Sequence, residues 1–325
     1  MQSLVYKRFG DPVDVLEVSD SPMPQPSAGQ VRIRMHLAAI HNHDLITVRG
    51  VYGYRPTLPA IAGTEAMGVV DALGEGVDGL ILGQRVSAAG VSGAWAEYFL
   101  APAHAVVPVP ATVSDETAAQ LIAMPLSALM LLEFIQASAG QWIIQNAANG
   151  AAAKALAMFA QARGIHVINL VRRDAGLAEL GSLGSAHVVS TEQPGWEDQV
   201  RTITGGVPID AAVDSVGGKA ASALASLLGD GGSLVSFGVM SREALQIPSA
   251  DLIFRQVTVK GFWGSRARTT TSPEDMRRLI GELLTRASSG QLKLDVEETF
   301  HFADVARAAA ANSRPGRKGK VLLKP

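Results

Sequence analysis

The stretch QNAANGAAAKA, residues 145–155, lies between a short apolar run that ends at Ile144 and a long alanine-rich run that reaches Arg163. A second apolar run follows at residues 167–171. This order predicts a strand, a turn of small residues, a helix and a second strand, which together form one βαβ unit. Small turn residues let backbone N–H groups approach a pyrophosphate, and a helix N-terminus places partial positive charge there. The stretch therefore predicts a dinucleotide-binding turn.

The turn departs from the glycine pattern G-x-G-x-x-G. Its only glycine is Gly150, with Ala147 before it and Ala153 after it. Alanine at the last position still allows the helix to pack closely on the strand. We predict that Asn149, Gly150 and Ala153 contact the cofactor. The alternative is an ordinary βαβ turn without a ligand.

Two arginines at the end of the second strand indicate which cofactor is bound. An NAD site usually has Asp or Glu about 20 residues past the turn, where it holds the ribose 2′-OH. Here that place is taken by Arg172 and Arg173, and the first acid is Asp174. Arginine binds a 2′-phosphate through charge-assisted hydrogen bonds, so the pair predicts NADPH rather than NADH. A solvated arginine pair is the alternative.

Composition limits the class of protein. The 325 residues suit two domains, and 47% hydrophobic with 18% charged residues excludes a disordered chain. A net charge of −2 shows no basic surface for nucleic acid. The chain has no cysteine, which removes disulfides, thiolate catalysis and every zinc site that contains Cys. No apolar stretch has the ~20 residues of a membrane span, and the N-terminus does not resemble a secretory signal, so we expect a cytoplasmic protein.

The order of apolar patterns predicts two domains. The first 112 residues read as β-rich, with alternation such as that of Val31 to Leu37. From about Asp115, helical patterns alternate with short apolar runs, which predicts a doubly wound parallel sheet; the runs are residues 142–144, 167–171, 187–189, 211–213, 233–237 and 257–262. A helix capped by Ser272 and a last strand, residues 320–323, follow. We expect residues 1–112 and 263–325 to form one domain and residues 113–262 the nucleotide domain.

Several strings resemble a known family, the zinc-free medium-chain dehydrogenase/reductases, and within it the 2-enoyl thioester reductases. The matching strings are LAAIHNHDLITVRGVY at 37–52, LPAIAGTEAMGVV at 58–70, IIQNAANG at 143–150, INLVRR at 168–173, DSVGGK at 214–219 and LIFRQVTVKGFW at 252–263. The resemblance implies a GroES-like catalytic domain beside a Rossmann domain. It also implies a homodimer that pairs through residues 257–261.

The activity that the resemblance implies is the NADPH-dependent reduction of the C=C bond of a 2-enoyl thioester, with hydride transfer to the β-carbon. The alternative enzyme is a quinone or enone reductase, which the same fold also supports. A third interpretation, from another class, is a cofactor-binding protein without catalysis. The expected partner is in each case a small molecule.

No metal is expected at the site. In the zinc-dependent relatives, a Cys near the position of His41 and a His after Gly63 hold the metal. Here Gly63 is followed by Thr64 and Glu65. On a strand, His41 and His43 would point to opposite sides, so their spacing does not indicate a metal site. We interpret both histidines as polar lining or loop structure.

Tyr52 is the candidate catalytic residue. In the family that the chain resembles, the tyrosine of the matching Gly-x-Tyr string is the proposed proton donor or enolate stabiliser. Hydride addition to an enoyl thioester makes an enolate, and a phenol O–H is suited to either task. Tyr54, two residues later, is the other tyrosine that could take this role. A packing role for Tyr52 is the alternative.

The remaining candidates follow later strands. By resemblance, Gly217, Gly238 and Met240 lie along the cofactor. Phe262 and Trp263 flank the nicotinamide or the acyl pocket, or else they belong to the core or a subunit interface. Lys320 either contacts a cofactor phosphate or is solvated.

Overall fold

The computed structural model describes residues 1–325. Its strands are β1 (Gln2–Tyr6), β2 (Glu17–Asp20), β3 (Gln30–Ala39), β4 (Ala60–Ile61), β5 (Glu65–Leu73), β6 (Arg85–Ala89), β7 (Tyr98–Pro102), β8 (Val106–Pro108), β9 (Trp142–Gln145), β10 (His166–Val171), β11 (His187–Ser190), β12 (Ile209–Asp214), β13 (Leu228–Ser236), β14 (Thr258–Gly261), β15 (Val296–His301) and β16 (Lys320–Lys324).

The helices follow the same order along the chain. They are α1 (Pro12–Val15), α2 (Asn42–Val48), α3 (Asp115–Ala118), α4 (Ala123–Ile135), α5 (Ala151–Ala162), α6 (Ala175–Ser182), α7 (Trp196–Thr204), α8 (Lys219–Leu227), α9 (Ser249–Ile253), α10 (Gly264–Thr270), α11 (Pro273–Ser288) and α12 (Val305–Ser313). Short 3₁₀ helices span Ala103–Ala105 and Phe302–Asp304.

The chain forms two compact units, and the first is built from two separate segments. One unit comprises Met1–Met124 and Glu282–Pro325, and the other comprises Pro125–Gly281. The chain thus leaves the first unit, builds the second and returns. The domain bounds predicted above, at 112/113 and 262/263, stay a prediction.

The second unit contains a doubly wound sheet, as predicted. Its six strands pair in parallel in the order β11-β10-β9-β12-β13-β14. Counted from β9, this is the order 3-2-1-4-5-6, and it reverses between β9 and β12. In such sheets, ligands bind outside the carboxyl ends of the strands at this reversal. The fold therefore directs attention to the residues that follow β9 and β12.

Helices pack against this sheet, and its central strands β9 and β10 are almost wholly buried. Ile143 and Ile144 on β9 are fully buried, as are Ala155 and Phe159 on α5. Continuous apolar runs are typical of parallel strands that are buried on both faces. The small residues of α5 bring the helix close to the strands.

The first unit consists mainly of antiparallel strands. A seven-stranded sheet has the order β15-β16-β3-β5-β6-β8 with β7 paired to β3, and a smaller sheet has the order β2-β1-β4. Trp95 is fully buried, and a Cβ at Gly63 would lie 2.2 Å from its Cδ1. Gly63 also has a φ of +92°. Only glycine fits there, and this fixes the chain immediately before Thr64.

Two further predictions concern the helices, namely the cap of α11 and the absence of a membrane span. Ser272 Oγ accepts from the backbone N–H of Asp275 at 3.0 Å, which confirms the predicted cap of α11. None of the helices has both the length and the apolar character that a membrane span requires. A cytoplasmic location stays a prediction.

Candidate active site

Asn146 ties the end of β9 to the end of β12. Its Nδ2 donates to Asp214 Oδ1 at 2.5 Å, and its Oδ1 accepts from the backbone N–H of Ser215 at 2.7 Å. Asp214 is fully buried and also accepts from the backbone N–H of Gly217 at 3.0 Å. The two loops at the reversal of strand order are therefore held in a fixed relation.

Gln145 has a similar structural role. Its buried Nε2 donates to Asn169 Oδ1 on β10 at 2.7 Å and to the carbonyl of Ala153 on α5 at 2.8 Å. The next turn residue, Ala147, has a left-handed backbone with a φ of 49°. The predicted ligand contact Asn149 donates to Glu179 at 2.7 Å. Much of the polar character of the opening stretch thus holds the turn itself in shape.

The turn nevertheless has the features of an anion site. Helix α5 begins after Gly150, which gives it no side-chain cap, so its first N–H groups remain available to a ligand. Ala153 lies in the first turn of this helix. A Cβ at Gly238 would lie 2.8 Å from the carbonyl oxygen of Ser215, so the loops after β12 and β13 approach closely. A side chain at Gly238 would clash with this backbone, so glycine is required for the loops to pack in this way.

The other predicted cofactor residues lie in different environments. Arg172 and Arg173 follow β10 directly, are exposed, and take part in no ion pair. Met240 is 64% exposed, and Trp263 is 47% exposed. Phe262 is buried, with its ring 5.4 Å from that of Phe134 and 6.0 Å from that of Phe237. Phe262 therefore belongs to the core of the second unit.

In the first unit, the structure brings His41 and His43 together. The expectation that they point to opposite sides of a strand is wrong, because the chain enters α2 at Asn42. Asp44 Oδ2 accepts from the backbone N–H of His41 at 2.9 Å and so caps this helix. The two imidazole rings stack with centroids 5.0 Å apart and planes 8° apart.

His41 is fully buried between a carboxylate and an ammonium group. Its Nε2 lies 2.7 Å from Glu65 Oε2, and its Nδ1 lies 3.0 Å from Lys320 Nζ. Since an ammonium group only donates, we assign Nδ1 as the acceptor and Nε2–H as the donor to Glu65. Glu65 Oε1 accepts from the backbone N–H groups of Ile122 and Ala123 at 2.6 and 3.0 Å.

His41, Glu65 and Lys320 form a buried histidine cluster, and burial lowers the pKa values of His41 and Lys320. Burial, followed by the charge of Lys320, lowers the pKa of His41 well below its usual value. Burial, followed by the charge of Arg317, lowers the pKa of Lys320 to about 8. Both expectations for Lys320, a phosphate contact or a solvated group, are wrong: its side chain is 6% exposed and donates to the carbonyl of Ile40 at 3.2 Å.

His43 connects this cluster to Tyr52. Its Nε2 lies 2.7 Å from Thr64 Oγ1, and Thr64 in turn donates to Asp44 Oδ1 at 2.6 Å. The ring of His43 stacks on that of Tyr52 with centroids 5.9 Å apart and planes 27° apart. Tyr52 is half-buried, whereas Tyr54 is 53% exposed. Of the two tyrosines, Tyr52 is the one that contacts the histidine cluster.

Sequence reasoning did not identify Thr64 and Asp44 as partners of His43. The only local signal was the acid three residues after His41, which is a helix-capping spacing. Among all residues of the chain, no three His, Asp or Glu side chains are arranged to hold a metal ion. Both ring nitrogens of His41, which is near the zinc-ligand position of the metal-dependent relatives, have protein partners.

Comparisons with known proteins cover nearly the whole chain. Residues 27–111 match the alcohol dehydrogenase GroES-like domain, and residues 153–284 match the zinc-binding dehydrogenase family. The mitochondrial enoyl-[acyl-carrier-protein] reductase of Homo sapiens is 31% identical in an alignment of 330 positions that covers 99% of this chain and 88% of the relative. The Arabidopsis thaliana protein of the same name is also 31% identical, over 91% of this chain and 80% of the relative.

Solved structures show the same architecture. A Bacillus thuringiensis protein described as an NADPH:quinone reductase has a TM-score of 0.92 at 29% identity, covering 100% of this chain and 98% of that one. A mycobacterial protein solved in complex with NADPH has a TM-score of 0.88 at 27% identity and covers 100% of both chains.

Proposed function

The chain belongs to the medium-chain dehydrogenase/reductase family, in its zinc-free branch of enoyl reductases and quinone oxidoreductases, and we propose that it reduces the C=C bond of a 2-enoyl thioester with NADPH. It is an oxidoreductase. The observation that carries the choice of substrate is the likeness, over 99% of the chain, to a protein named enoyl-[acyl-carrier-protein] reductase. A quinone or enone reductase is the second candidate, since the Bacillus thuringiensis structure is described as a quinone reductase.

The carboxyl edge of the parallel sheet fits a dinucleotide. We propose that the first turn of α5, from Gly150 to Ala153, takes the pyrophosphate beside Asn149, and that the loops with Gly217, Gly238 and Met240 line the path toward Trp263. Arg172 and Arg173 would hold the 2′-phosphate, because their guanidinium groups are exposed and unpaired at the end of β10. NADPH, which the related mycobacterial structure contains, supplies hydride when bound.

Tyr52 acts on the substrate in this proposal. A substrate that has gained hydride at its β-carbon carries negative charge on the thioester oxygen. The phenol O–H of Tyr52 donates to that oxygen, and a donor of this kind is worth ~10²–10³ in rate. The ring is held by its stack on His43. Polarisation of the carbonyl then needs no metal ion, and we propose that none takes part.

A substrate panel tests the proposal. The protein is dialysed against a strong chelator and assayed with crotonyl thioester, an enone and a quinone, each with NADPH and with NADH. We expect the highest kcat/KM for crotonyl thioester with NADPH. Turnover of the quinone without turnover of the thioester would favour the second candidate. Activity that is lost with the chelator and restored by zinc would contradict the metal-free mechanism.

A further inference from the structure

The proposed reaction needs two groups, and Tyr52 is one of them. The enolate oxygen must receive a hydrogen bond, and the α-carbon must receive a proton. A single phenol O–H is directed at one acceptor at a time, so it does not serve the enolate oxygen and the α-carbon together. A second acid beside Tyr52 would separate the tasks.

His43 has the geometry of such an acid. Thr64 has one hydroxyl hydrogen and gives it to Asp44, so Thr64 accepts from His43 Nε2–H. Nε2 is thereby fixed as a donor to Thr64, and Nδ1 is the nitrogen left to carry a transferable proton. No group of the protein lies within hydrogen-bond distance of Nδ1. The side chain is 22% exposed, which gives the imidazole access to solvent protons.

The ring is also held in one orientation. The ring of His43 stacks with the ring of His41 at a centroid distance of 5.0 Å and with the ring of Tyr52 at 5.9 Å. The Asp44 carboxylate lies 3.5 Å from Nε2 and faces the ring when it is protonated. An acid held in this way loses little entropy when it delivers its proton.

We propose that His43 is the acid that protonates the α-carbon, while Tyr52 stabilises the enolate oxygen. This assignment rests on the proposed function. In the step, the Nδ1–H bond of the imidazolium breaks and a C–H bond forms at the α-carbon. The electron pair of the enolate C=C supplies that bond as the C=O of the thioester re-forms, and the neutral imidazole then takes a proton from water.

Charged and titratable groups surround His43. Asp44 is the nearest carboxylate, and Tyr52 and His41 contact the ring. Behind His41 lie Glu65 at 2.7 Å and Lys320 at 3.0 Å. His41 is buried with both ring nitrogens bonded, and burial lowers its pKa, whereas His43 is the imidazole of this pair that reaches solvent.

The test uses the stereochemistry of protonation in the full-length protein. A 2-methyl-2-enoyl thioester is reduced with NADPH in D₂O, because its α-carbon becomes a stereocentre that records which face received deuterium. Two variants separate acid from structure: His43→Gln keeps a donor for Thr64, and His43→Phe keeps the stack on Tyr52. His104→Phe, at an exposed surface histidine, is the control.

For both variants we expect turnover to fall about 10²-fold or more and the product to become a mixture of α-epimers. Tyr52→Phe should be slow but keep a single epimer. If either His43 variant keeps a single epimer at a rate within about threefold of wild type, the assignment is wrong while the proposed function stands. A wild-type protein that reduces only quinones overturns both.

Imidazole ¹⁵N NMR gives a readout that does not depend on turnover. In the free protein we expect the neutral imidazole of His43 to carry its proton on Nε2, which donates to Thr64. A reversed tautomer, with Nδ1 permanently protonated, would overturn the assignment. Thr64→Val removes the acceptor and should mix the two tautomers.

Discussion

Single residues of the candidate site offer matched comparisons, and the two neighbouring tyrosines are the first. Tyr52→Phe removes one hydroxyl and keeps the ring that stacks on His43. We expect turnover of enoyl thioesters to fall ~10²–10³-fold, since the enolate loses a hydrogen bond, while the Kd of NADPH stays near that of wild type. Tyr54→Phe, at a 53% exposed position, should behave as wild type. If Tyr54→Phe loses turnover while Tyr52→Phe keeps it, then Tyr54 rather than Tyr52 is the functional tyrosine.

Cofactor choice is the second prediction at this scale. Replacing Arg172 and Arg173 by alanine removes the charges that we assign to the 2′-phosphate, and a charge-assisted contact is worth ~1.5–3 kcal/mol. We expect the Kd of NADPH to rise about tenfold or more and that of NADH to change little, as measured by titration calorimetry. Arg201→Ala, on the exposed surface of α7, is the control. Equal losses for both cofactors would contradict the assignment.

His41 leads to a prediction about pH and stability. Its pKa is lowered in the folded protein, whereas the unfolded chain has an imidazole pKa near ~6.5. Below about pH 6.5 the unfolded chain therefore binds a proton that the folded protein does not, and stability falls as the pH decreases. A full proton corresponds to ~1.4 kcal/mol per pH unit.

The test compares how steeply the free energy of unfolding changes with pH in wild type and in the variant. We expect His41→Asn to flatten the decline in the free energy of unfolding between about pH 6.5 and 5, as measured in urea. His36 and His187 also have lowered pKa values and remain in every variant, so some decline persists. A His41→Asn slope equal to that of wild type would show that His41 does not contribute.

At the scale of elements, the sequence predicted the parallel sheet well because its signal is local. The six predicted runs all became strands, and the turn after β9 lies at the reversal of strand order. β13 differed most: it begins at Leu228, five residues before the predicted run, and passes through glycines that carry no apolar signal. Strong apolar periodicity is readable, whereas strand extensions that depend on pairing with a neighbour are not.

The histidine cluster could not be predicted by the same means. Helix α2 has seven residues, too few for a clear period, and its start at Asn42 decides that His41 and His43 stack. Lys320 reaches His41 across 279 positions of sequence. The burial of Lys320 depends on the pairing of β16 with β3, and no local pattern around residue 320 records that contact. Contacts between segments that are far apart in sequence therefore decide which charged groups surround His41.

The turn after β9 offers a prediction about backbone conformation. Ala147 has a φ of 49°, a left-handed conformation that costs a non-glycine residue ~1–2 kcal/mol. Ala147→Gly removes this cost but adds ~0.5–1 kcal/mol of chain entropy. Ala148→Gly, one residue later at a buried position with ordinary φ, gains nothing in return. We expect Ala147→Gly to exceed Ala148→Gly in unfolding free energy by about 1 kcal/mol or more. Equal destabilisation of the two would contradict the strain.

At the scale of the whole molecule, the chain completes its first unit only with its last strand. β16 pairs with β15 on one side and with β3 on the other. It also delivers Lys320 to His41. The order of chain segments thus makes the histidine cluster depend on the return of the chain from the second unit. The site beside Tyr52 therefore forms only when both segments of the first unit, Met1–Met124 and Glu282–Pro325, are folded together.

The edge of the parallel sheet bears on the oligomeric state. β14 is an edge strand of its sheet, and such edges usually need protection from other chains. Near it, the residues that end α9 expose apolar side chains: Leu252 is 40%, Ile253 59% and Phe254 79% exposed. We propose that a second copy of this chain covers this edge, forming a homodimer.

Mutation of this edge tests the dimer. Phe254→Asp and Ile253→Asp place charge where the proposed partner would pack, so we expect each to shift the protein from dimer toward the 34.0 kDa monomer in light scattering coupled to gel filtration. Ile81→Asp, in the other unit and 69% exposed, should leave the mass unchanged. Because aspartate at an exposed position costs the fold little, the melting temperature of a monomeric variant reports the stability that pairing adds. A wild-type monomer, or a dimer that survives both substitutions, would place the interface elsewhere.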